Sequence, residues 1–167
     1  MDIENISLIG MPGCGKSTIS KILAEKIGFS WIDTDLLIES WFGRPLEYIK
    51  NHLGNEDFLK FEEDIVSKLC VKRCVIATGG SVVYGKKAMK RLKALGPVVY
   101  LKCNLMEIKK RVSKNPDRGL VIEDEQTIDD LFNEREPLYE KYCDFYVRTD
   151  MYSPIECVKK IIKILNG

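Results

Sequence analysis

The chain has 167 residues with 26 Lys plus Arg against 25 Asp plus Glu, a net charge of +1, so its charge carries no nucleic-acid or anionic-membrane footprint. That length suits one domain, 1–167, able to bury a sizeable core, and no run approaches the roughly 18 apolar residues of a membrane span. Six cysteines (14, 70, 74, 103, 143, 157) form no CxxC pair and accompany a single histidine, His52, which argues against zinc and predicts reduced, mostly buried thiols in a cytoplasmic chain.

The first apolar run, 3–9, is too short for a signal peptide and reads as a buried strand. It leads into Gly10-Met11-Pro12-Gly13-Cys14-Gly15-Lys16-Ser17, the full Gly-x4-Gly-Lys-Ser pattern. Behind it Ile19, Ile22, Leu23 and Ile27 recur at helical spacing over 17–27. Strand, glycine loop and helix together let backbone N–H groups and a helix N-terminus converge on a phosphate. In that pattern Lys16 reaches the outer phosphates of a nucleoside triphosphate and the Ser17 hydroxyl ligates Mg²⁺. Cys14 sits where the backbone does the binding, so it reads as a small loop residue rather than a catalytic thiol.

A second strand, 29–32, runs into Asp33-Thr34-Asp35. In an extended segment two carboxylates at i and i+2 point the same way, into the crevice where the glycine loop opens. One can support the Mg²⁺ shell and the other can take a proton from an acceptor hydroxyl. Capping of the helix predicted over 36–41 explains one of the pair but not both. Helical patterns continue over 46–53 and 57–69, and a third strand, 74–77, ends in Thr78-Gly79-Gly80-Ser81. Paired glycines there fit either a close backbone approach to a ligand or a tight turn. A helix over 86–95, a strand over 98–102 and a helix over 105–113 follow. The polar stretch 114–126 reads as a lid over the phosphates or as a solvated loop, with Arg118 as its one arginine. Helices over 127–142 and 154–165 flank a last strand, 145–147. Five strands separated by helices predict an α/β fold, a parallel sheet with helices on both faces and ligands beyond the strand C-termini.

Several of these motifs together resemble the shikimate kinases. They are the loop followed by Thr18, Asp33-x-Asp35, Phe58-x-x-x-Glu62, Ala77-Thr78-Gly79-Gly80, Arg118, and Glu134-Arg135-x-Pro137-Leu138-Tyr139, in order and spacing over nearly the whole chain. The resemblance implies a P-loop, nucleoside-monophosphate-kinase-like fold with a five-stranded parallel sheet, a lid and a substrate-binding region. It implies MgATP as donor and a small hydroxylated metabolite as acceptor. Carried over by position, Gly13, Cys14, Gly15, Lys16, Ser17 and Thr18 hold the phosphates, with Ser17 and Asp33 toward the metal. Lys16, Asp35 and Arg118 serve transfer, Asp35 binding the acceptor hydroxyls and Arg118 closing on the moving phosphate. Gly79 and Gly80 offer backbone to the substrate, Arg135 grips its carboxylate, and Arg111 with 148–154, Pro154 included, forms the adenine site.

The departures from the family pattern fall mostly on the acceptor side. The family carries Phe-Arg-x-x-Glu, whereas here the run is Phe58-Leu59-Lys60-Phe61-Glu62. The glycine triplet reads Gly79-Gly80-Ser81, and the lid reads Arg118-Gly119-Leu120-Val121 where Arg-Pro-Leu-Leu is usual. Losing a charge-assisted bond to a substrate carboxylate costs about 1.5–3 kcal/mol. Lys60 lies ~100° round a helix from Leu59, so it could replace the arginine only by a different approach. With Arg135 as one cation and Glu62 as a spare anion, the acceptor side suits a zwitterion such as homoserine as an alternative to a plain carboxylate. A non-catalytic ATP-binding module is the reading from a different class, opposed by the retained Lys16, Ser17, Asp33, Asp35 and Arg118. The expected partner is a small hydroxylated carboxylate or amino acid, with no nucleic acid and no membrane, for a chain acting as a monomer.

Overall fold

The computed structural model describes residues 3–114 and 126–167. β1 (Asn5–Ile9) is buried at every position. That suits a strand paired on both edges and covered on both faces, where apolar residues run on instead of alternating. The five strands, completed by β2 (Ser30–Asp33), β3 (Cys74–Ala77), β4 (Val98–Lys102) and β5 (Phe145–Arg148), form one sheet in the order β2-β3-β1-β4-β5. Every pairing is parallel, with Leu8 opposite both Ala77 and Val99, so the strand C-termini reach one edge of the sheet together.

The connecting helices are α1 (Lys16–Ile27), α2 (Thr34–Phe42), α3 (Leu46–Leu53), α4 (Asn55–Ser67), α5 (Lys86–Leu95), α6 (Leu105–Ser113), α7 (Ile128–Tyr142) and α8 (Pro154–Asn166). Their ends follow ordinary chemistry. α1 stops at Gly28, which takes the left-handed conformation (φ 69°) that L side chains resist. Thr127 with Asp130, and Ser153 with Glu156, form capping boxes at the starts of α7 and α8, and Pro154 occupies the first turn of α8. The main core packs around the sheet, while Ile38, Ile49 and Phe58 from α2, α3 and α4 form a small separate cluster. No helix among the described residues is long and apolar enough to cross a membrane.

β3, β4, α3, α5 and α6 have the bounds their patterns predict. The other elements shift by one or two residues at one or both ends, and three differences bear on the site. α2 begins at Thr34 with no linker after β2, because the Asp33 carboxylate caps it directly. α4 begins two residues early, at Asn55, where Gly54 (φ 75°) turns the chain out of α3. After β3 the glycines enter a 3₁₀ turn, Gly80–Tyr84, that the sequence reading did not include. Most of the predicted lid, residues 115–125 with Arg118 among them, lies outside the described residues.

Candidate active site

Two cavities open beyond the strand C-termini and share Pro12, Gly13 and Gly15 of the glycine loop. The loop owes its shape to glycines at φ values closed to most residues, 147° at Gly10, 79° at Gly13 and 101° at Gly15. A Cβ at Gly10 would also stand 2.8 Å from the Leu101 carbonyl oxygen and 2.9 Å from Cys14 Sγ. Cys14 itself is fully buried. Lys16 Nζ lies across the loop, donating to the carbonyls of Gly10 (2.7 Å) and Met11 (3.0 Å).

The Ser17 hydroxyl donates to Asp33 Oδ2 at 2.7 Å, and Asp33 Oδ1 accepts the Asp35 N–H at 3.0 Å. One carboxylate therefore both caps α2 and faces the loop serine, so capping and site geometry are the same contact. The predicted extended Asp33-x-Asp35 arrangement is replaced by a strand end and a first helical turn. Both carboxylates nonetheless line the second cavity. A hydroxyl and a carboxylate are hard oxygen donors that suit Mg²⁺, which is usually held by one or two side chains together with substrate phosphates and water.

The first cavity, about 600 Å³, is lined by the loop, Thr18, Arg111, Val112 and residues 149–154, Pro154 included. Arg111 joins its two walls, donating to Glu107 Oε1 (2.9 Å) on its own helix and to the Thr149 carbonyl (2.8 Å) at the end of β5. Arg148, expected in this element, points its guanidinium at Asp150 through two bonds of 2.9 and 2.7 Å and does not line the cavity. That pairing holds the Asp150 carboxyl well below the usual carboxylate range.

The second cavity, about 390 Å³, runs from Lys16, Ser17, Asp33 and Asp35 to Gly79, Gly80 and Arg135. Arg135 on α7 is 2% exposed; its Nε donates to Tyr84 Oη at 3.1 Å and the guanidinium lies 5.2 Å from the centre of that ring. Tyr139, one helical turn on, donates to the Gly80 carbonyl at 2.7 Å, so α7 and the 3₁₀ turn hold each other in place. The Gly79 N–H donates to Thr34 Oγ1 at 3.1 Å, tying the turn to the start of α2.

Glu62 lies beneath this floor. It is 1% exposed, and Oε2 accepts the Ser81 hydroxyl at 2.6 Å. Oε1 has no hydrogen-bond partner among the described residues. A Cβ at Gly79 would collide with that oxygen and lie 2.7 Å from Asp35 Oδ1, so a bare Cα separates the two carboxylates. Burial and the Asp35 charge raise the Glu62 carboxyl to about 7, against the pull of Ser81, Lys50 and Arg135. Asp35 is raised too, by burial first and Asp33 second, with Lys50 and Lys16 opposing.

The predicted contact Leu59 and the replacement cation considered beside it, Lys60, are both placed elsewhere. Leu59 is partly buried on α4 and is not among the residues lining the cavity. Lys60 is exposed and paired with Glu56 (2.8 Å) and Asp57 (3.3 Å), so it is not the substitute cation. Lys50 lines the cavity instead and was missed by the sequence reading. The signal was present: Leu46, Ile49, Lys50 and Leu53 fall at i, i+3, i+4 and i+7, which puts a lysine on the inward face of α3. Glu62 is thus sealed below the cavity, and a second cation lies within it. The picture of one cation and one spare anion facing a zwitterion is corrected on both counts.

A family model described as shikimate kinase matches residues 12–166. The shikimate kinase of Thermodesulfovibrio yellowstonii is 38% identical over 164 residues, covering 96% of this chain and 94% of its own length. That of Vibrio vulnificus is 35% identical over 166 residues, covering 98% and 96%. Among solved structures, the shikimate kinase from Acinetobacter baumannii in complex with shikimate superposes with a TM-score of 0.88 at 28% identity, covering 98% of this chain and 93% of that one. A gluconokinase from Sinorhizobium meliloti shares the fold alone, with a TM-score of 0.60 at 15% identity over 96% of this chain and 90% of its own.

Proposed function

This chain belongs to the shikimate kinase family of ATP- and Mg²⁺-dependent phosphotransferases, and from that premise we propose that its acceptor is shikimate. One observation carries the reading. Asp35 and Arg135 share a cavity that opens onto Lys16 and Ser17, so a hydroxyl and a carboxylate of one small acceptor can be held at once beside the phosphate loop. The homoserine alternative and the non-catalytic module are not favoured. The relatives are shikimate kinases, and the geometry removes the zwitterion argument.

In this reading the adenine lies in the larger cavity against Arg111 and Pro154, and the loop N–H groups cradle the phosphates with Gly13, Cys14, Gly15 and Thr18. Mg²⁺ held by Ser17 and Asp33 would neutralise charge on the phosphates. Lys16 exchanges its carbonyl contacts for phosphate oxygens, and Arg118 adds a further cation to the moving group. Asp35 accepts the hydroxyl proton of the acceptor. Its raised carboxyl favours that task, because a base works best with a pKa closer to the working pH. Gly79 and Gly80 leave room for the acceptor ring against the backbone, and Arg135, already fixed by Tyr84, binds the carboxylate. Arg135 is positioned before the substrate arrives, so little ordering remains at binding.

The same reading treats 1–167 as one kinase domain with a lid at about 114–126, cytoplasmic and monomeric, without nucleic-acid or membrane partners. The six cysteines, all free, support a reducing compartment. The test is an ATP-consumption assay over shikimate, homoserine, gluconate and nucleoside monophosphates. Turnover with shikimate alone is the expected result, and preference for any of the others overturns the assignment.

A further inference from the structure

The departure at 81 acts on Glu62, and the departure at 59 leaves the acceptor side without one of its family cations. Ser81, standing where the family has glycine, donates to Glu62, while position 59, where the family has arginine, carries an uncharged side chain. A buried carboxylate needs hydrogen bonding or a nearby positive charge. Here the bonding comes from Ser81 and the charge comes from a different helix.

Lys50 stands on the inward face of α3, nine positions before Leu59 in sequence. Its ammonium lies 4.9 Å from the centre of the Phe58 ring, so α4 sets the direction of the side chain through an aromatic face. Burial pushes the ammonium down from its ordinary value and Arg135 adds to that, while the Asp35 and Glu62 charges oppose it. Lys50 and Arg135 both line this cavity. Two cations thus approach one space from two helices, beside the carboxylate that faces the acceptor hydroxyl.

We propose that Lys50 is a specificity-determining residue that binds the acceptor's carboxylate together with Arg135, restoring from α3 the second positive contact that position 59 lacks. The inference rests on the reading of the acceptor as a hydroxylated carboxylate. It adds that this chain reaches the same charge balance by a different route. A lysine ammonium is a compact point charge without the planar fork of arginine, so Lys50 contributes attraction while Arg135 fixes orientation.

The test compares shikimate with its methyl ester, which keeps the hydroxyls and removes the negative charge, on the wild type, Lys50→Met and Lys50→Arg. The wild type should prefer the acid, and Lys50→Met should lose about tenfold or more of that preference in kcat/KM, chiefly through the KM of the acid. Lys50→Arg should restore most of the preference, and Lys60→Ala, on the exposed side of α4, should leave it unchanged. The ratio is the deciding readout because damage to packing on Phe58, or to the Asp35 proton affinity, slows acid and ester alike. An unchanged ratio in Lys50→Met with an active wild type overturns the Lys50 assignment alone. A wild type that does not phosphorylate shikimate overturns the proposed acceptor and this inference together. Thermal melts of the four proteins separate loss of preference from loss of fold.

Discussion

The two cavities share three loop residues, yet they are made in different ways. The donor cavity depends on backbone: glycines at unusual φ, a helix N-terminus, and an arginine pinned to carbonyl and carboxylate oxygens at both ends. The acceptor cavity depends on side chains drawn from α2, α3, the 3₁₀ turn and α7, with a small apolar cluster holding α2 and α3 to α4. Backbone geometry tolerates little change, because a misplaced glycine destroys the loop. A side-chain constellation can exchange members as long as the summed charge and shape are kept. The departures of this chain at 59 and 81, and the lysine at 50, all belong to the second kind.

The contrast can be broken at its strongest point first. Lys16→Met should reduce kcat by about 10²–10³-fold while leaving shikimate binding, followed by calorimetry, close to the wild type. Equal losses of both would mean that Lys16 also holds the acceptor. Glu62→Gln addresses the buried carboxylate. Glu62 holds its proton to about pH 7 when folded and to its ordinary 4.5 when unfolded, so its contribution to stability is full below about pH 4.5 and is lost as pH rises through about 7. Wild-type stability should therefore fall by about 3 kcal/mol from this group between pH 4.5 and pH 8, and the Gln variant should flatten that fall in denaturant titrations. A wild type with no such decline would show that the sealed carboxylate is charged throughout.

On the acceptor side, Arg135→Lys keeps the charge but removes the fork held by Tyr84. The KM for shikimate should rise about tenfold with the KM for ATP unchanged, as steady-state kinetics would show. The smallest effect is expected across the loop. Arg111→Ala should raise the KM for ATP by several-fold, in line with about 1 kcal/mol for a partly exposed contact, and should spare the acceptor. If either arginine variant moved the constant of the other substrate, the division of labour between the cavities would fail.

The sequence disclosed these two regions unequally, for the same physical reason. The glycine loop is local, eight consecutive residues whose spacing is its geometry, so strand, loop and α1 could be read directly. Strand positions 74–77 and 98–102 were equally plain, since buried parallel strands are short apolar runs. The acceptor cavity brings Lys50 to Arg135 across 85 positions, and no local pattern encodes that meeting. Asp33 and Asp35 were found as a pair, but their arrangement was read as extended because nothing in Asp33-Thr34-Asp35 marks where a strand ends and a capped helix starts. Ser81 looked like a broken glycine triplet until its hydroxyl was seen on Glu62. The inward lysine of α3 is legible from its spacing to Leu46, Ile49 and Leu53, but no residue near it in sequence marks what it faces.

The strand order β2-β3-β1-β4-β5 has a consequence for how such a protein can diversify. β1 and its loop occupy the middle, the segments following β2 and β3 supply most of the acceptor wall, and those following β4 and β5 supply the adenine wall. In chain order most of the acceptor wall falls within one uninterrupted stretch, from the end of β2 through the 3₁₀ turn, and among the described residues Arg135 arrives later. Recombination that exchanges this stretch between two lineages would pass on a different taste for substrates while the recipient keeps its nucleotide machinery intact. Most of the acceptor wall can thus be inherited in one piece, provided the arriving stretch still suits Arg135.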